Sequence, residues 1–172
     1  MKIHDKQAKK WRMVKFGKVE LDLVSLIDNA LNKTLQQDGD ILRRGRSERL
    51  FASRLAYDIQ KLLNDFFQEE NSLRADSPYN KHFNGSKKLD DRNIEVDLAV
   101  HKRGVDDFNF LVSEIETNNN PVHDDLWKIE TMTKKNGKYH YKLGLYLVVG
   151  VESKAGEIID KKWYVNGKEV KI

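Results

Sequence analysis

The sequence predicts an α/β domain: a mixed central sheet flanked by helices, with an N-terminal helical extension and a C-terminal β-hairpin. Three observations carry this. Apolar residues recur at helical spacing in two stretches between residues 19 and 67, strand-like runs follow from Ile94 onward, and Asn166-Gly167 is a two-residue hairpin signal. With 172 residues, 39% apolar and 34% charged, the chain suits one globular domain with a heavily charged surface. No repeat or linker interrupts it, so residues 1–40 are read as a basic arm and helix packed on a core spanning 41–172.

The elements follow in order. Residues 1–18 carry seven basic side chains against one acid, Asp5, and read as an arm. Leu23, Val24, Ile27, Ala30 and Leu31 predict an amphipathic helix within 19–35, broken by the polar run 36–40. A second helix is expected over 47–67, with Ser47 as N-cap and Ala52, Leu55, Ile59, Leu62 and Phe66 as its buried stripe. Residues 71–91 are polar, contain Pro78, and read as a loop or weak edge strand. Residues 94–100 alternate, with Ile94, Val96, Leu98 and Val100 on one side of a strand. After a turn at Gly104, a hairpin partner over 108–117 places Phe108, Phe110, Val112, Glu114 and Glu116 on one face. His123 or Asp124 is expected to cap a third helix ending near Thr133, and the apolar run 141–151 reads as a buried strand. Residues 163–165 and 169–172 form the closing hairpin.

Composition removes several function classes. Without cysteine there are no disulfides and no thiolate zinc sites, which suits a reducing, cytoplasmic setting. The basic N-terminus has no apolar stretch behind it, unlike a secretory signal, and the longest apolar run, 143–151, is too short to span a bilayer as a helix, so a membrane partner is not expected. The five histidines show no paired metal spacing. The net charge is only +4, but it is unevenly spread: the arm, the cluster Arg43, Arg44, Arg46, Arg49 and Arg54, and the tail lysines 161, 162, 168 and 171 are basic. Such patches attract polyanions, or simply solvate the surface.

The acids are more informative. Glu114 and Glu116 continue a strand face that is otherwise apolar, where burial is costly without a partner. Either they emerge into water at a frayed strand end, or they face Asp97 across the hairpin. In that case three carboxylates converge and need shared protons or a hard cation such as Mg²⁺ or Mn²⁺. Glu48 heads the buried stripe of the second helix, a place also explained by the helix dipole.

The order of these pieces is similar to one family. A helix opening Glu48-Arg49-Leu50 precedes the strand Ile94-Glu95-Val96-Asp97-Leu98-Ala99-Val100-His101-Lys102-Arg103-Gly104. The strand Phe110-Leu111-Val112-Ser113-Glu114-Ile115-Glu116, the helix Asp125-Leu126-Trp127-Lys128-Ile129 and the segment Tyr139–Tyr146 follow. The chain thus resembles the PD-(D/E)xK nucleases over roughly residues 47–150. The resemblance implies a restriction-endonuclease-like αβββαβ core, with Asp97 and Glu114 at the metal-ligand positions and Glu48 at the supporting helix acid. Val96 stands where the family has proline, and Glu116 where it has its catalytic lysine. Glu116 would then be a base or second-metal ligand, or Lys128 would restore the positive charge from the neighbouring helix, unless it merely pairs with Asp124 or Asp125.

The expected function is a Mg²⁺- or Mn²⁺-dependent nuclease acting on DNA, with Asp97, Glu114, Glu116 and Lys128 catalytic and Asp97, Glu114 and Glu48 around the metal. Arg43, Arg44, Arg46, Lys102 and Arg103 would contact the backbone, and a homodimer would serve both strands. The rival readings are a catalytically inactive nuclease-fold subunit that binds DNA, and a protein-interaction domain using an exposed Trp163-Tyr164 hairpin.

Overall fold

Local sequence chemistry explains most elements of the computed structural model, which describes residues 3–45, 48–67, 72–82, 85–89 and 91–172. The basic arm is not an extended tail. It forms α1 (Ile3–Arg12) and a hairpin of β1 (Met13–Phe16) and β2 (Val19–Asp22), turned at Gly17, whose φ of +60° suits glycine. Strands of four residues are too short for alternation to stand out in sequence. Asp22 then caps α2 (Leu23–Arg43) by accepting the Ser25 N–H at 3.0 Å, so this helix starts later than expected. It also runs through the expected break at 36–40. Asp38 alone leaves helical geometry, and the next turn persists because Leu42 is fully buried.

The second long helix, α3 (Glu48–Phe67), buries Phe51, Ala52, Leu55, Ala56, Ile59 and Leu63. Its fully buried stripe ends on Leu63, with Leu62 half-buried against the same core, while Phe66 is exposed. Ser47 lies outside the described residues. Residues 72–93 hold the edge strand β3 (Leu73–Asp76) and two small ribbons, β4 (Lys81–His82) with β5 (Gly85–Ser86) and β6 (Lys88–Leu89) with β7 (Arg92–Asn93). Then come β8 (Leu98–Lys102), β9 (Leu111–Thr117), α4 (Leu126–Thr133), β10 (Leu143–Val149), β11 (Ile158–Val165) and β12 (Lys168–Val170).

Six strands form one mixed sheet in the order β12-β11-β10-β9-β8-β3, parallel only between β9 and β10, where α4 supplies the crossover. One face, with Leu98, Val100, Leu111, Ile115, Leu145 and Leu147, packs against α2 and α3. The other carries Val112, Gly144 and Tyr164 in one row and is covered by α4. Gly144 permits this approach: a Cβ there would lie 2.3 Å from the Ile129 methyl.

Three further expectations are corrected. The chain bends at Asp97, so β8 starts at Leu98; Ile94 and Val96 pack with Ala99 and Val112, not with Leu98 and Val100. Phe108 and Phe110 precede β9 and stack edge-on against Phe16, with ring centroids at 5.1 and 6.4 Å, so they leave the face of Val112. Trp163 and Tyr164 are 6% and 3% exposed and are core, which removes the exposed aromatic hairpin. The hairpin itself forms, with Asn166 and Gly167 at φ +51° and +73°. No helix among the described residues is long and apolar enough to cross a membrane.

Candidate active site

The site begins where β8 ends. β9 continues to Thr117 beyond the last β8 pair, Leu98 opposite Ser113, so its outer N–H groups need other acceptors. Asp97 Oδ2 accepts the Ile115 N–H at 2.7 Å, and Glu48, from the first turn of α3, accepts the Thr117 N–H. Both acids thus stand in for the carbonyls of a missing strand. Continuing the β8–β9 register by one residue sets Asp97 beside Glu114, close enough for each carboxyl group to act on the other.

Glu114 is 3% exposed, and its Oε1 has no hydrogen-bond partner. Burial, then the neighbouring Asp97 carboxylate, push it up to about 10. Burial also raises Asp97, against the pull of the Ile115 N–H and Glu114. Burial and the charge of Asp97 raise Glu48. Lys128, one turn into α4, sits 3.4 Å from Glu114 Oε2 and 2.9 Å from Asp125 Oδ1. Burial alone would lower it, yet those two acids hold its ammonium above the usual range. Lys128 therefore does both things its spacing allowed: it pairs with Asp125 and reaches Glu114. Asp125 occupies the N-cap position of α4 without a capping bond and spends its carboxylate on Lys128.

Two recesses of about 340 Å³ adjoin these acids. One is lined by Glu48, Glu114, Glu116, Asn118, Val122 and Asp125, the other by Arg49, Arg92, Asp97, Trp127 and Lys128. Glu116 shares the face of Glu114 and accepts three hydrogen bonds: from the N–H of Val122 (3.1 Å), the N–H of His123 (3.2 Å) and the Tyr146 hydroxyl (2.5 Å). It anchors the 118–123 loop as well as lining the recess.

The basic candidates do not converge on the acids. Arg43 pairs with Asp40, Arg44 is the exposed C-cap of α2, and Arg46 lies outside the described residues. Lys102 lies over the Phe108 ring, 5.6 Å from its centroid, and Arg103 binds Asp76, both at the far end of β8 from Asp97. Arg49 pairs with Glu95 at 3.0 Å and Arg54 lies 3.6 Å from Asp38, so part of that cluster is neutralised locally. Sequence spacing did not reveal Arg92 or the position of Trp127, which is 39% exposed at the mouth of a recess. Only the fold of the 85–93 ribbons and the bend at Asp97 bring them there.

Among the described residues, no three His, Asp or Glu side chains already surround one cation position. The donor set nevertheless fits a hard cation: a buried, partnerless Glu114 oxygen next to Asp97 would become an anionic ligand once a cation displaces its proton, and Mg²⁺ is commonly held by one or two carboxylates with water completing its shell. No family model, curated protein or solved structure matches this chain.

Proposed function

We propose that the protein is a divalent-cation-dependent phosphodiesterase of the PD-(D/E)xK type, acting on nucleic acid and on DNA in particular. One observation carries this: Asp97 and Glu114 lie side by side with a partnerless oxygen between two open recesses, and a lysine faces them at 3.4 Å. The order α3, β3, β8, β9, α4, β10 supports it, being a helix, three antiparallel strands, a helix and a strand parallel to the third.

Asp97 and Glu114 would hold Mg²⁺ or Mn²⁺, with Glu48 behind them. Bound there, the cation acts as a Lewis acid and makes its water more acidic. The protein does the rest. Lys128 takes the place of the lysine that Glu116 displaces and offsets charge developing on the phosphoryl oxygens. Glu116, fixed by three donors, keeps acceptor capacity on Oε2 to orient a water. The test is cleavage of an end-labelled duplex with Mg²⁺ or Mn²⁺ against EDTA. Cleavage should require the cation and vanish in Asp97→Asn and Glu114→Gln. Undiminished cleavage in those variants ends the proposal, and salt-sensitive DNA binding without any cleavage favours an inactive nuclease-fold subunit instead.

A further inference from the structure

The register of the sheet draws a polar row across three strands: Glu114 on β9 is opposite Tyr146 on β10, and Tyr146 is opposite Lys162 on β11. The next row runs Glu116, Val148, Asp160. All six side chains share the face of α4, beyond the N-terminus of that helix. Glu114 and Glu116 stand at the β9 end, and Lys162 stands at the β11 end beside Asp160.

His123 joins that cationic end. Its Nε2 is 3.1 Å from Asp160 Oδ2 and 3.4 Å from Lys162 Nζ, and its ring lies 5.2 Å from the Tyr146 ring. Lys162 Nζ is itself 3.2 Å from Asp160 Oδ2 and 5.9 Å from the centre of the Tyr146 ring. Tyr146 is fully buried and tied to Glu116, so it is a rigid floor under both cations. Burial alone would raise Asp160, but hydrogen bonds from His123 and Lys162 hold it below the usual carboxylate range. Among the described residues the other ring nitrogen of His123, Nδ1, has no hydrogen-bond partner. In the imidazolium, and in the tautomer whose Nε2 accepts from Lys162, Nδ1 carries a proton to donate. The flanking residues Val122 and Asp124 line the recess beside Glu114.

We infer that His123 and Lys162, positioned by Asp160 and Tyr146, form a second contact for the substrate backbone, taking a phosphate a few nucleotides from the one that a cation at Asp97 and Glu114 would face. Two inter-strand spacings, roughly 10 Å, separate Glu114 from Lys162. A strand rising about 3.4 Å per phosphate covers that distance in about three nucleotides. The inference rests on the nuclease reading for the identity of the ligand, a nucleic-acid backbone, while its geometry is independent of the metal. It also explains why the arginine cluster need not reach the site.

The experiment separates the two. Binding of a fluorescein-labelled 20-base-pair duplex is followed by anisotropy in EDTA across a NaCl series, for wild type, His123→Gln, Lys162→Met, the double variant and Lys161→Met. Lys161 is the control: it neighbours Lys162 in sequence but faces the opposite side of the sheet, where it pairs with Asp28. Each site variant should weaken binding, and Lys162→Met and the double variant should lower the slope of log Kd against log[NaCl] by about one unit, with Lys161→Met near wild type. Circular dichroism establishes that each variant is folded, and Lys162→Arg should restore the slope. An unchanged slope in the double variant, or an equal loss in Lys161→Met, overturns the inference, even if Mg²⁺-dependent cleavage that needs Asp97 is intact. Loss of slope as expected, with no cleavage by wild type in Mg²⁺ or Mn²⁺, keeps the phosphate contact and removes the nuclease. Absence of duplex binding by wild type at low salt removes both.

Discussion

Lys128 Nζ lies 3.4 Å from Glu114 Oε2, joining the first turn of α4 to the middle of β9. The pair is buried enough for its charge to act strongly, since Lys128 is 17% and Glu114 4% exposed at the side chain. Lys128→Met should leave the fold intact, because α4 is held by Ile129 and Met132, but should lower single-turnover cleavage by about 10²–10³, as loss of one preorganised electrostatic donor does. Lys128→Arg should recover part of the rate. A Lys128→Met variant that cuts as fast as wild type would remove Lys128 from the proposed mechanism.

Glu114 makes a pH prediction whose sign is fixed by its environment. Its folded value is pushed up to about 10 from the ordinary 4.5, so the folded chain binds the proton more tightly than the unfolded one. Stability from this group is present below about 4.5 and is lost as pH climbs toward 10, at a ceiling of about 1.4 kcal/mol per pH unit. In EDTA, Glu114→Gln should therefore melt higher than wild type at pH 8 and much like it at pH 4. Mg²⁺ should raise the wild-type Tm at pH 8 and leave the variant unmoved. Equal metal shifts in both proteins would place the cation away from Glu114.

The acids were legible in sequence because a carboxylate on an apolar strand face is locally improbable, and Glu114 needed only period-two counting to stand out. Asp97 was legible as a neighbour of Glu114 across the hairpin, but its bond to the Ile115 N–H was not. That bond follows from a bend that ends β8 early, where alternation continued through residue 97 as though the strand ran on. The same limit hid the row from Glu114 to Lys162, since the pairing of β10 with both neighbours joins residues 30 or more positions apart or set by loop length. The N-terminal hairpin was missed for a different reason: lysines at 9, 10 and 15 dominate the pattern, while burial of Val14 and Leu21 decides the structure.

Lys87 offers a stability test away from the site. It is 2% exposed, and its ammonium lies 4.4, 5.0 and 5.2 Å from the ring centres of Tyr139, Tyr79 and Tyr141. Ring faces offset part of the cost of burying the charge. Burial still lowers it to about 8, against the pull of Asp106. The unfolded chain thus keeps the proton more tightly, and stability is gained as pH rises from about 8 toward 10.5, the opposite sense to Glu114. Lys87→Met preserves the stem's packing and removes the charge, so it should melt above wild type at pH 7, with the advantage shrinking at pH 10. A constant difference across that interval would mean the folded chain holds the Lys87 proton as tightly as the unfolded one.

Gly144 sets how closely α4 approaches the sheet. It pairs with Val112 on β9 and Tyr164 on β11, directly beneath α4. A Cβ at this position would lie 2.3 Å from Ile129 Cγ2, 2.9 Å from Thr133 Cγ2 and 3.1 Å from Tyr164 Cβ. Three neighbours on two elements cannot all yield, because Ile129 and Thr133 are buried on the helix and Tyr164 on the sheet. Gly144→Ala should accordingly lift α4 from the strands and cost roughly 1–3 kcal/mol in urea unfolding, the usual penalty of overpacking. Lys128 lies on the same helix one residue before Ile129, so the displacement carries its ammonium away from Glu114. Cleavage should then fall at temperatures well below the variant's own Tm, and a variant that loses stability while cutting at the wild-type rate would show that the position of α4 is irrelevant to the chemistry.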